Sequence, residues 1–334
     1  MQDPPLGASG RRPVEHRPPP GEHRWSALIV QSIAEQAIPW RGPGPGRPEL
    51  PLPPGRMPLR RGGRWRKRWR YVAGFSDELL LCAARVQVGP LGQTFWLVWD
   101  RQGRQMWERT RLLVPGARGE VWTEGSARDG LVHHAEDAGS MVRLEAQHPD
   151  AGGVRAFLRL DGGRWVEAVC PSGGGEYVWT RKRADVAIAC DVRIAERRWE
   201  VEARGIEDES AGYHPRHTVW SWSAGVGRAT DGRSVGWNLV SGINDPPRSS
   251  ERAIWIDGEP SEPGPVSFDG LEAIACDDGS RLEFAGECER RKEESRPFVR
   301  YTLRQPLGSF SGTLPGGLGL ERGLGVMEHH DAHW

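Results

Sequence analysis

Lysine is nearly missing from this chain: of 45 basic residues, only Lys67, Lys182 and Lys292 are not arginine. The skew marks a GC-rich coding bias, so arginine counts alone carry little functional meaning. Cysteine is sparse as well. Cys82, Cys170, Cys190, Cys276 and Cys288 stand far apart, odd in number and without a Cys-x-x-Cys pair. That excludes a disulfide framework and a zinc ribbon, and leads us to expect reduced, buried thiols of a cytosolic protein. No apolar run approaches the roughly 18 residues of a membrane helix, and Met-Gln-Asp-Pro-Pro-Leu-Gly lacks the charged-then-apolar pattern of a secretory signal. A cytoplasmic location is therefore expected. There is no glycine loop of the Walker or dinucleotide type and no Gly-x-Ser-x-Gly elbow. Enzyme classes that depend on those devices are set aside, and no cofactor is expected.

What is present is a chain of 334 residues, long enough for two ordinary domains or one large β unit. The formal charge is zero, but residues 1–70 hold 14 basic against 5 acidic side chains, making that segment +9 and the remainder −9. Residues 1–24 are Pro, Gly and charge with hardly an apolar side chain, too little to offset the entropy of ordering. Ser26–Ala37 has the composition of a short helix that Pro39 would end. Residues 42–58 return to Pro-Gly spacing, as in an extended segment or linker. Residues 1–59 thus read as a flexible arm.

From about Arg64 the texture changes to short apolar or alternating runs cut by turn signals, the pattern of antiparallel strands. Leu79–Val88, Thr94–Trp99, Val154–Leu160, Ser234–Ser241 and Ala253–Ile256 are clear cases. Asp-Gly turns at 161–164, 230–233, 257–260 and 277–280 separate such runs and signal hairpins. Roughly eighteen to twenty strands are expected, which suits two barrels of about eight strands each. No period near 40 residues supports a propeller. The fold class expected is all-β, two lipocalin-like antiparallel barrels over 60–195 and 196–334. The seam falls between the Gly-rich Ser172–Gly175 and an acidic loop at Glu207–Ser210.

Arg60–Arg70 packs seven positive charges and two tryptophans into eleven residues, the footprint of a phosphate-binding strip. The preferred reading is a strand with Trp65 and Trp69 as inward anchors and arginines solvated or paired to the acidic remainder, since the balanced global charge gives no wider basic face. The densest chemistry lies in 208–227. After Tyr213, His214 and His217, a strand would place Thr218, Trp220, Trp222 and Ala224 on one face, an aromatic wall suited to an apolar ligand. His214 and His217 are candidate acid/base groups beside it, unless they merely hydrogen-bond in a loop. Residues 236–255 add Trp237, Asn238, Asn244, Asp245, Glu251 and Arg252 around one connection. Asn244 and Asp245 also fit a turn cap. If Glu251 and Arg252 lie on a strand, one of them faces inward and needs a partner or a function.

The C-terminal Glu328, His329, His330, Asp331 and His333 invite a metal reading. On a strand, however, Glu328 and His330 share one face while His329, Asp331 and His333 share the other. Neither face supplies an obvious three-ligand set before tertiary folding, so no metal is expected. A terminal strand closing a barrel, with Glu328 facing the cavity and Trp334 plugging an end, is the preferred arrangement.

At Arg-Trp-Arg-Lys-Arg-Trp-Arg-Tyr (64–71) the chain begins to resemble the bacterial family of domain of unknown function 2804. The likeness continues through Gly-Tyr-His-Pro-Arg-His-Thr-Val-Trp-Ser-Trp-Ser-Ala-Gly-Val-Gly, Trp-Asn-Leu-Val-Ser-Gly-Ile-Asn-Asp-Pro, Ser-Glu-Arg-Ala-Ile-Trp-Ile-Asp-Gly, Phe-Ser-Gly (310–312) and Gly-Val-Met-Glu-His-His-Asp-Ala-His-Trp. Such proteins look similar in architecture to carotenoid hydratases, tocopherol cyclases and some Diels–Alderases. That resemblance implies a ligand set in or between two barrels, a hydrophobic polyene or prenyl substrate, and an acidic group acting on a double bond. The expected function is a cofactor-independent hydratase, cyclase or isomerase, with Glu328, His214 or His217 as proton donor and Glu251 or Asp245 orienting it. Tyr213, Trp220, Trp222, Trp237, Asn238, Asn244, Arg252 and His330 are the candidate ligand-binding residues. The alternatives are a carrier of lipid or pigment, and anionic-surface or nucleic-acid binding through Arg60–Arg70.

Overall fold

The computed structural model describes residues 38–113, 121–124, 140–296 and 299–334. The helix expected at Ser26–Ala37 lies outside them. Every helix or strand among the described residues is a strand. β1 (Trp40–Gly42) comes first, and β2 (Arg60–Arg61) with β3 (Arg64–Trp65) makes a small ribbon. Then come β4 (Lys67–Phe75), β5 (Leu79–Val88), β6 (Leu91–Asp100), β7 (Gln105–Leu113), β8 (Val121–Glu124) and β9 (Ser140–His148). β10 (Gly152–Asp161), β11 (Val166–Pro171), β12 (Tyr177–Ile194) and β13 (Arg197–Gly212) follow. The remainder is β14 (His217–Ala229), β15 (Ser234–Ser241), β16 (Ala253–Ile256), β17 (Glu259–Ser261) and β18 (Val266–Asp269). It ends with β19 (Ala273–Cys276), β20 (Arg281–Arg296), β21 (Val299–Leu314) and β22 (Leu318–His333).

The first sheet has 11 strands, ordered β7-β6-β5-β4-β13-β12-β10-β9-β8, with β11 also pairing β12 and β1 pairing β11. The second has nine, ordered β17-β16-β15-β14-β22-β21-β20-β19-β18. All their pairings are antiparallel. Each sheet rolls until its ends approach, β8 nearing β5 and β6, and β18 nearing β15. This is the all-β, lipocalin-like architecture expected.

Side-chain alternation distributes the core over distinct layers. In β5, Leu79, Leu81 and Ala83 point into the roll of the first sheet with Trp96 and Val98. Leu80, Cys82 and Ala84 point the other way, joining Phe95, Leu97, Trp222, Ala224 and Val326 between the sheets. A strand covered on both faces has no polar side, which is why Leu79–Ala84 is uninterruptedly apolar. Trp237, Ile254, Phe310 and Met327 fill the roll of the second sheet. Gly225 lies against the Trp237 ring, where a Cβ would collide with it.

Several expectations are corrected. The seam near 195 falls in the β12–β13 hairpin of a single sheet, and the chain passes between the sheets at Tyr213–Arg216. Glu207–Ser210 is a buried part of β13, made possible by the cations on its neighbours. β22 does not close an edge but runs between β14 and β21. The five thiols are free, but Cys276 and Cys288 are only partly buried. The basic strip is largely consumed internally. Arg66, Lys67 and Arg70 are buried, Arg61 pairs with Glu176 at 3.4 Å, and Arg64 donates to the carbonyls of Ser172 and Tyr213. Trp65 is 44% exposed and so is no inward anchor.

Glu207 accepts hydrogen bonds from Arg70 Nε at 2.6 Å, Arg183 Nε at 2.9 Å and Ser140 Oγ at 3.0 Å. Burial alone would raise its pKa, but Arg70 and Arg183 hold it well below the ordinary 4.5. Its contribution to stability is therefore complete above 4.5 and lost as the pH falls through the folded value. Glu207→Gln strands two buried guanidinium groups and is expected to lower stability at neutral pH by about 3–5 kcal/mol. Urea unfolding checks this, and the difference should shrink on acidification. A loss under about 1 kcal/mol at neutral pH, no more than an exposed pair contributes, would refute the assignment.

Candidate functional site

Between the sheets the apolar layer opens into a cavity of about 770 Å³. Alternation sends Trp69 and Tyr71 of β4, Val86 of β5 and Phe95 of β6 to one wall. Trp220 and Trp222 of β14, Tyr301 and Leu303 of β21, and Glu328 and His330 of β22 make the opposite wall. The two Trp rings at 69 and 220 are parallel to within 5°, with centroids 6.4 Å apart. Trp222 is fixed by donation from Nε1 to Asn238 Oδ1 at 2.8 Å, and Tyr71 meets it edge-on.

Polar groups interrupt this lining, and two groupings of them are built around buried carboxylates. The first centres on Glu328, whose Oε1 accepts from Trp220 Nε1 at 2.8 Å and whose Oε2 accepts from Gln305 Nε2 at 2.5 Å. Burial pushes its pKa up, against the lowering effect of those two donors. Beside it, burial and the nearby Arg290 push the His330 pKa down to about 3, so this imidazole is neutral. The second grouping joins Lys182 of β12, Asp208 of β13 and Glu251 of the connection after β15. Lys182 Nζ lies 2.5 Å from Asp208 and 3.4 Å from Glu251, and Asn244 Nδ2 donates to Glu251 Oε2 at 3.0 Å. Burial raises the pKa of Glu251, with Lys182 opposing. For Lys182 burial acts downward, but the two carboxylates outweigh it and raise its pKa.

The structure thus brings together Trp220, Trp222, Asn244, Glu251, Glu328 and His330 from the sequence-derived set. It does not bring the others to the cavity. His214 is buried beside Trp69, and neither ring nitrogen is hydrogen-bonded among the described residues. Burial, then the charges of Lys67 and Arg64, drive its pKa well below the ordinary value, so it is unsuited to donate a proton. His217 is exposed on the opposite face of β14 from the Trp wall. Asp245 caps a turn, its Oδ2 accepting from Gly242 N at 2.8 Å. Arg252 is buried but donates to the carbonyls of Asp245, Pro246 and Pro247, stapling the loop. Tyr213 bonds Pro58 O in the packing of the N-terminal segment, and Trp237 belongs to the roll of the second sheet. Asn238 supports the site from behind, bridging Trp222 to the Glu251 carbonyl.

Residue-by-residue reading missed Trp69, Lys182, Asp208, Arg290 and Gln305 as lining groups. A signal for some of them was present in the scarcity of lysine. Lys182 and Lys292 line the cavity, and Lys67 sits over the ring of Trp334, which also lines it. Where arginine is the default cation, a retained lysine marks a place that wants a compact ammonium.

The profile of the family described as Domain of unknown function (DUF2804) matches residues 56–334. The chain belongs to this family. Among curated proteins nothing matches it. Solved structures similar to this DUF2804 chain include a protein described as AttH from Nitrosomonas europaea, at 13% identity and a TM-score of 0.44, covering 79% of this chain and 92% of that one. Kievitone hydratase from Nectria haematococca is similar at 8% identity and a TM-score of 0.42, covering 80% and 88%. CghA with Sch210972 shows 9% identity and a TM-score of 0.39, covering 80% and 88%. No helix among the described residues is long and apolar enough to cross a membrane.

Because the folded pKa of Glu328 lies above the ordinary 4.5, its protonated form is the one the fold favours. That contribution is complete below 4.5 and is lost as the pH rises through the folded value. Glu328→Gln imitates the protonated carboxyl permanently. Its stability in urea should match the wild type in acid and exceed it increasingly as the pH is raised. A wild-type advantage that grows with pH would contradict the raised pKa.

Proposed function

We propose that this cavity serves a cofactor-independent hydratase, cyclase or isomerase acting on a hydrophobic, unsaturated small molecule, with Glu328 as the proton donor. The observation that carries the reading is a carboxyl of raised pKa, held by Trp220 and Gln305, in a cavity rich in aromatic and aliphatic side chains. A volume of about 770 Å³ suits a drug-sized molecule.

In this reading protonated Glu328 gives its proton to one carbon of a double bond, and the neighbouring carbon becomes cationic. The faces of Trp69 and Trp220 stabilise that charge through their ring quadrupoles. Capture by water, with return of one water proton to the Glu328 carboxylate, gives hydration. Capture by a second double bond of the substrate moves the cation to a new carbon, and loss of a proton beside it to the Glu328 carboxylate completes cyclisation; loss of a proton beside the first cation, without capture, gives isomerisation. The donors on Trp220 and Gln305 hold the carboxylate between these transfers. Glu251, Lys182 and Asn244 form a polar end that orients a hydroxyl or carbonyl of the substrate. Asn238 is a positioning residue for the Trp222 wall.

The test is turnover of a panel of prenyl alcohols and conjugated polyenes, with products followed by mass spectrometry for added water or mass-neutral rearrangement. Glu328→Gln is expected to reduce the rate by about 10²–10⁴-fold, the usual contribution of a general acid, while ligand-induced quenching of tryptophan fluorescence persists. Wild-type rates in Glu328→Gln would remove the carboxyl from the mechanism. Freshly purified protein that holds an unmodified lipid or pigment and converts nothing would favour a carrier using the same apolar walls.

A further inference from the structure

On the face of the second sheet turned away from the cavity lining, β14 and β22 bring together three side chains that neither strand supplies alone. His217 and His333 are direct cross-strand partners. Their rings stack at 3.9 Å between centroids and within 9° of parallel. Asp331, two residues before His333 and therefore on the same face, places Oδ1 2.9 Å from His217 Nε2 and 3.9 Å from His333 Nε2. The possible ligand atoms of all three lie within 4.8 Å of one another. Between 37% and 51% of each side chain is exposed, so the space beside them is open to water.

We propose that His217, Asp331 and His333 bind one divalent transition-metal ion. Two imidazoles and a carboxylate form a donor set for zinc, cobalt, nickel or copper, not for magnesium or calcium, which prefer oxygen ligands alone. Ligand atoms about 2.0–2.2 Å from a tetrahedral ion stand roughly 3.3 Å from one another. The two distances to Asp331 Oδ1 bracket that spacing, so a slight rotation of the rings admits the ion. Water would take the remaining position. β22 by itself offers only His329, Asp331 and His333 on this face, and His329 is engaged by Ser221 at 3.1 Å. The pairing of β22 with β14 is what completes the set, and for that reason spacing along the sequence conceals it.

The ion would bridge the first residue of β14 to the end of β22. Trp334 follows directly, bonds Arg216 O through its N–H at 2.8 Å, and lines the cavity. Metal binding therefore clamps the stretch of chain that presents Trp334 to the cavity.

The test uses the full chain without a histidine tag, stripped by a chelator and titrated calorimetrically with Zn²⁺ and with Ni²⁺. One ion per chain is expected, with a rise in thermal midpoint on Zn²⁺ addition. His217→Ala and His333→Ala should each weaken binding at least about tenfold, no less than the loss caused by removing an outer partner of a metal ligand. His329→Ala should bind as the wild type does. Bound Co²⁺ gives a second readout, since visible absorption of a four-coordinate site should appear in the wild type and vanish in His333→Ala at matched circular dichroism. Absence of saturable binding of either ion by the wild type would overturn the proposal. So would stoichiometric binding that survives the double substitution of His217 and His333 by alanine.

Discussion

Three consecutive opposite-charge pairs face one another across β12 and β13: Arg181 with Glu209, Lys182 with Asp208, and Arg183 with Glu207. All but Arg181 belong to buried residues, and even its side chain is only 12% exposed. Charges taken out of water cost several kcal/mol apiece unless paired in good geometry. A slip of one residue would set Arg183 opposite Ile206 and Glu209 opposite Thr180, and turn every side chain to the other face. The ladder thus fixes the register of the two strands at the centre of the first sheet. Through Arg70 it extends to β4, the next strand over.

Alternation along this ladder also divides its tasks. Arg183 and Glu207 turn toward Ser140, where they hold β9 and β4 to the centre of the sheet. Lys182 and Asp208 turn the other way, into the cavity, where Glu251 from the second sheet's loop meets them. The polar end of the cavity is a continuation of the element that sets strand register. Glu328 arrives from the opposite side, on a strand held between β14 and β21, so its position depends on a separate sheet.

Much of this was legible from local pattern. Leu79–Val88, Ser234–Ser241 and Ala253–Ile256 are strands with the bounds that their apolar runs and turns implied. A period of two placed Trp220, Trp222, Glu328 and His330 on shared faces, because alternation along a strand needs no tertiary information. The acidic segment at 207–210 was misread because its counter-charges lie about 24–28 positions away on β12, and 137 away at Arg70. A run of acids looks solvated until its partners are known. Trp237 and Asn238 show the remaining ambiguity: alternation says that they face apart but not which of them faces the ligand, since both sides of β15 are covered. His217 was read as lying beside the Trp wall, although the two-residue rhythm from Trp220 already set it on the opposite face of β14.

The strands of the first sheet that border the cavity have no idle face. Leu79 and Leu81 fill the roll of that sheet, while Leu80 and Cys82, between and beside them, lie in the layer from which the cavity opens. One ply of polypeptide therefore serves two volumes. A change that enlarges a residue on one side displaces backbone that shapes the other, so the two cannot drift independently. Diversification of the cavity is most freely accommodated from the second sheet's wall and its connecting loops, and a lineage exploring new ligands would be expected to vary there first.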